Sequence, residues 1–132
     1  MKQCITVEVA GKTCHLIYNN QAMFDLQELF PDRKDFQEAI AGDTREHYEA
    51  TIKVFLLMAE QGELVRGYYG YPAEKVPSEE HLTKTADQGD WIKMKNAIYS
   101  AVVLGIQHHV DPIEEIDVDL LEFQNEKNVK SP

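Results

Sequence analysis

Residues 4–18, CITVEVAGKTCHLIY, decide the fold class, because they alternate like paired strands. Ile5, Val7 and Val9 alternate with Thr6 and Glu8, and Cys14, Leu16 and Tyr18 alternate beyond the AGK turn. A period of two puts one set of side chains on one face of a strand. If Ala10 and Gly11 form a two-residue loop, Val9 faces Lys12, Val7 faces Cys14 and Ile5 faces Leu16. Gly11 tolerates the positive φ such a loop demands. The inner face is then Ile5, Val7, Val9, Cys14 and Leu16. Cys4 points to the other face, so it cannot bridge to Cys14, and both are expected as free thiols.

Beyond Tyr18 the apolar spacing becomes helical. Asn19 or Asn20 can cap a helix carrying Ala22, Met23, Leu26, Leu29 and Phe30, stopped by Pro31. Asp32 can cap a short helix with Phe36, Ala39 and Ile40, ending near Gly42. Asp43 and Glu46 have capping-box spacing ahead of Tyr48, Thr51, Ile52, Phe55, Leu56 and Ala59, which predicts a core helix from residue 44 to about 60. Gly62 reads as a break or a weak point, with ELVRGYYGYP as one more short helix ending at Gly70. Ser78 is expected to cap the next helix, with two acids in its first turn. Asp90 is expected to cap the longest helix, whose stripe is Trp91, Met94, Ile98, Ala101, Val102, Gly105 and Ile106. Pro112 is expected to end it.

These readings predict an α+β fold: an N-terminal hairpin, about residues 4–18, packed on a mostly helical body of four to six helices, about residues 20–109. A globular domain over 1–110 and an acidic tail over 111–132 follow. The tail holds seven acids and two lysines, half of the chain's net charge of −10. Its mixture of carboxylates with Leu120, Leu121 and Phe123 suits a segment that orders on a partner.

The 132 residues fit one domain. The net charge of −10 disfavours nucleic acid, which needs clustered Lys and Arg, and disfavours an anionic membrane surface. No apolar run is long enough to span a bilayer, and the first residues lack the apolar core of a signal peptide, so a cytoplasmic location is expected.

Catalytic chemistry finds little purchase. His108 and His109 lie near Asp111, Glu114 and Glu115, but adjacent helical histidines diverge by about 100° and rarely share one ion. His15 and His47 have no partner at a recognisable spacing, and solvated surface is expected for both. Cys14 and His15 face opposite sides of a strand. GYYGYP has neither the preceding strand nor the lysine of a phosphate loop. Neither a catalytic centre nor a cofactor is expected. What stands out is VRGYYGYP, residues 65–72. Tyr68, Tyr69 and Tyr71 bring large area, few rotors and a polar tip, and Arg66 is a side chain that interfaces favour. The alternative is that one or two of these rings cover the core.

The order of elements resembles the tail assembly chaperones of long-tailed bacteriophages, particularly those of Gram-positive hosts. The residues that carry the resemblance are LIYNNQAMFDLQELF, then TIKVFLLMAEQGELVRGYYGYP, PSEEHL and TADQGDWIKMKNAIYSAVVLGI, over about residues 5–107. The resemblance implies a non-enzymatic protein that binds the tape measure protein and tail tube subunits, can self-associate, works in the host cytoplasm and is absent from the mature virion. On that reading the partner-binding residues are Arg66, Tyr68, Tyr69 and Tyr71, with Leu120, Leu121 and Phe123 in the tail. Two other classes compete. One is an acidic nucleic-acid mimic or inhibitor, and the other is a small metal-dependent enzyme built on the His108/His109 region.

Overall fold

The computed structural model describes residues 4–31 and 36–116, with backbone alone for 107–116. Strands β1 (Ile5–Val9) and β2 (Lys12–Leu16) form an antiparallel hairpin. Its register is the expected one: Val9 opposite Lys12, Val7 opposite Cys14, Ile5 opposite Leu16. Ala10 and Gly11 take φ of 51° and 77°, the pair of positive values that matches strand twist in a two-residue turn. Both cysteines are free. Five helices follow among the described residues: α1 (Asn20–Leu29), α2 (Phe36–Ile40), α3 (Arg45–Tyr68), α4 (Glu79–Thr85) and α5 (Gln88–Ile116). The fold is α+β, as the sequence predicts.

Side-chain caps set most helix starts. Asn19 accepts the Ala22 N–H at 2.9 Å, and Ser78 accepts the His81 N–H at 3.0 Å; both caps were expected. Two starts differ. The cap of α3 is Thr44, whose Oγ1 accepts the His47 N–H, rather than Asp43. The cap of α5 is Asp87, rather than Asp90. Asp87 Oδ1 accepts the Asp90 N–H at 2.9 Å, and Asp90 Oδ2 accepts the Asp87 N–H at 3.1 Å. This reciprocal pairing satisfies two helix-end donors at once, with Asp90 in the third helical position. The Asp87 N–H, helped by that of Ala10, holds the Asp90 carboxyl below the usual range. The expected cap of α2, Asp32, lies outside the described residues.

Gly62 does not break α3, which runs unbroken for 24 residues. A Cβ at this position would collide with the carbonyl oxygen of His15. Here glycine is the residue that lets the β2 backbone lie against the helix, a gain that outweighs its low helix propensity of about 1 kcal/mol. The chain leaving β2 fixes this approach, with the Ile17 N–H donating to the Met58 carbonyl at 3.2 Å. Gly105 of α5 has a similar role, since a Cβ there would lie 2.6 Å from the Tyr18 carbonyl oxygen. Pro112 does not end α5, which continues to Ile116. A proline removes one i→i−4 hydrogen bond, and here the helix continues past it. The expected boundary between body and tail at residue 110 therefore falls inside a helix.

Helix α3 is the centre of the molecule, touching β2, α1, α2, α4 and α5. Phe55, Ile52, Met58, Leu16, Leu26, Ile40, Leu82, Met94 and Ile98 are fully or almost fully buried around it. Each contributes roughly 1.5–3 kcal/mol by leaving water. Thr51 is buried among them, and its hydroxyl donates to the His47 carbonyl one turn back. Two residues expected in the core are exposed: Leu29 at 39% and Ile106 at 54%. Among the described residues no helix is long and apolar enough to cross a membrane.

Candidate binding surface at the end of α3

VRGYYGYP spans the last turn of α3 and the loop that follows. Tyr69 is the C-cap and Gly70 has φ +87°. The Tyr71 N–H donates to the Arg66 carbonyl at 3.0 Å, and the Gly70 N–H donates to that of Gly67 at 3.1 Å. These are the two bonds of a Schellman stop, which needs a residue that accepts the left-handed conformation. The stop turns the chain sharply and leaves the aromatic rings at the helix end.

All three tyrosines lie outside the core. Tyr68 is 86% exposed, Tyr69 64% and Tyr71 44%. The reading in which one ring covers the core does not hold. Leu64, 57% exposed, precedes Tyr68 by one turn and shares its face. Sequence reasoning missed Leu64. The i, i+4 spacing was available, but only the burial of the opposite face of α3 shows that this side is open.

Arg66 is placed differently from the tyrosines, being only 8% exposed. Its NH2 donates to the Pro72 carbonyl at 3.2 Å and lies 3.5 Å from Glu74 Oε2. Its Nε lies 3.5 Å from Glu63 Oε2, within ion-pair range but not aligned as a hydrogen bond. The ring of Tyr71 lies 4.9 Å from the guanidinium carbon, a cation–π contact. Glu63 also accepts the Glu74 N–H at 3.0 Å. Arg66 thus ties the loop after α3 to the helix, and the exposed rings stand on that support.

His15 joins the same group. Its Nε2 lies 3.8 Å from Glu74 Oε1, and its Nδ1 is 3.1 Å from the Thr6 hydroxyl. The side chain is only 12% exposed, because the loop after α3 folds towards the hairpin. Solvated surface was the expectation. The ligand atoms of His15, Glu63 and Glu74 lie within 4.8 Å of one another, a spacing a metal could use. The Arg66 guanidinium already stands 3.5 Å from both carboxylates and supplies the positive charge there. Burial pushes the Cys14 thiol up to about 11, with Glu63 and Glu74 adding to the shift. A thiol so protonated at neutral pH is a poor nucleophile.

The structure brings together Arg66, Tyr68, Tyr69 and Tyr71, and adds Leu64, Glu63, Glu74 and His15. Leu120, Leu121 and Phe123 lie outside the described residues. His108, His109, Asp111, Glu114 and Glu115 lie on the last turns of α5, where the backbone alone is described. Comparison with known protein families, characterised proteins and solved structures returns no match to this chain.

Proposed function

We propose that this chain is a non-enzymatic tail assembly chaperone of a long-tailed phage, binding the tape measure protein and tail tube subunits in the host cytoplasm before the particle is complete. The observation that carries the reading is the aromatic end of α3. Tyr68, Tyr69 and Tyr71, with Leu64, are presented to solvent on a turn that Arg66, Glu63 and Glu74 hold in place. A turn whose backbone is fixed before binding loses little freedom on contact, and Tyr is a favoured anchor at interfaces. The net charge of −10 suits a protein that must keep an apolar helical client dispersed by like-charge repulsion.

Co-expression tests this. A helical fragment of a tape measure protein should be recovered in the soluble fraction with the wild-type chain and largely lost without it. Tyr68→Ala with Tyr69→Ala should lower that yield severalfold while its circular dichroism matches wild type. A folded wild-type chain that leaves the fragment insoluble would sink the proposal. An unchanged yield with the double variant would remove the tyrosines from the binding surface.

A further inference from the structure

The end of α1, α2 and the start of α3 form an open groove of about 450 Å³. Leu29, Phe30, Pro31 and Ala39 are among the apolar residues that line it, and Glu38 and Glu46 are its two charged ones. Leu29 has the spacing of a core residue, yet it is 39% exposed. Three sources of negative charge meet here. Glu38 of α2 and Glu46 of α3 are exposed, and among the described residues neither carboxylate has a hydrogen bond or an ion pair. The third is the C-terminal end of α1, which has no basic residue in its last turn. Such a helix end carries roughly half a negative charge. Nearby bases do not offset these groups. Residues 19–50 hold eight acids and three bases, a net of −5, half of the chain's −10. Arg33 and Lys34 are balanced within that stretch by Asp32 and Asp35. Arg45, the third base, is 3.1 Å from Glu49. Lys95 of α5 donates to the Gly42 carbonyl and lies over the Trp91 ring.

The chemistry of the groove selects its occupant. Its walls are helical and offer no strand edge, so a segment that enters must satisfy its own backbone, as a helix does. An apolar stripe on that helix would cover Leu29 and its neighbours. Lysine or arginine beside the stripe would meet the two carboxylates and the end of α1, with their stems lying along the apolar walls. A neutral or anionic segment would cover the same charges without compensating them. We propose that this groove binds a cationic amphipathic helix of another protein. Glu46 and Tyr68 lie 22 positions apart on α3, about 33 Å along a helix, so the groove is a second surface, separate from the tyrosine end. It does not depend on the chaperone reading.

The test uses the full chain and a labelled synthetic helical peptide with a leucine stripe flanked by lysine, read by fluorescence anisotropy at physiological salt. Wild type should bind the peptide saturably. Glu38→Gln with Glu46→Gln should raise the dissociation constant at least about tenfold, the equivalent of 1.4 kcal/mol. Glu8→Gln with Glu60→Gln removes the same charge outside the groove. It should change the constant less than about twofold, because charges beyond the screening length of about 8 Å contribute little. Leu29→Ser, at an exposed position, should weaken binding severalfold while the circular dichroism stays that of wild type. A wild-type chain that does not bind the peptide overturns the proposal. Equal losses in the two glutamine pairs also overturn it, since the attraction would then be to net charge alone. So does a peptide with serine in place of leucine that binds as tightly, because the groove would then hold cations without reading an apolar face.

Discussion

Gly62 and Cys14 show how far a single residue's environment departs from its sequence neighbourhood. In Gly62→Ala the new methyl group would meet the His15 carbonyl oxygen, a backbone atom that cannot swing aside. The helix and β2 must separate, so the variant should lose about 2–3 kcal/mol of stability despite alanine's better helix propensity. Urea titration checks this, and a more stable variant would refute the close approach. For Cys14, the protonated thiol is favoured in the folded state, so its pKa is raised to about 11 from an ordinary value of 9.0. That stability is fully present below pH 9 and is lost as pH rises towards 11. It amounts to about 2–3 kcal/mol at 1.36 kcal/mol per unit. Cys14→Ala should flatten this part of the stability profile. In the native wild-type chain near neutral pH, Cys4 should react with thiol reagents well before the buried Cys14.

Elements were legible where their causes are local. The hairpin register follows from side-chain alternation and the Ala10–Gly11 turn alone, and the Asn19 and Ser78 caps follow from residue type. The starts of α3 and α5 were misplaced by one and three residues because several Asp and Thr residues compete there, and only the hydrogen bonds choose among them. The continuity of α3 through Gly62 was not legible, since its cause is a strand 47 positions earlier. The tyrosines of the candidate surface could be picked out from composition. The burial of Arg66 could not, because Glu74 reaches it only after the chain has turned at Gly70. That dependence makes a prediction for the loop after α3. Arg66→Met keeps the buried stem but leaves Glu63 and Glu74 facing each other without a cation. Breaking a buried ion pair costs 3–5 kcal/mol, and the half-exposed Glu74 carboxylate reduces this to about 2 kcal/mol. Amide exchange should accelerate at residues 71–78 while α5 keeps its protection. Unchanged exchange in the loop would mean that the Schellman turn alone holds it.

The whole molecule combines open apolar surface with strong self-repulsion. Tyr68 and Tyr69 stand out at the end of α3, and Ile92, Val103 and Ile106 along α5. At neutral pH a net charge of −10 keeps such surfaces from meeting at random, because like-charged molecules must approach before short-range apolar contact can act. The repulsion vanishes near the isoelectric point, about 4.8. Solubility should therefore be lowest near that pH and recover on either side, more so than for a protein whose apolar groups are all buried. Replacing Tyr68, Tyr69, Val103 and Ile106 together with serine leaves the charge untouched, so the isoelectric point stays where it is. Turbidity measured from pH 4 to pH 7 should then lose most of its maximum. If the serine variant precipitates as readily as wild type, the exposed rings and branched side chains are not what drives association, and charge neutralisation alone accounts for it.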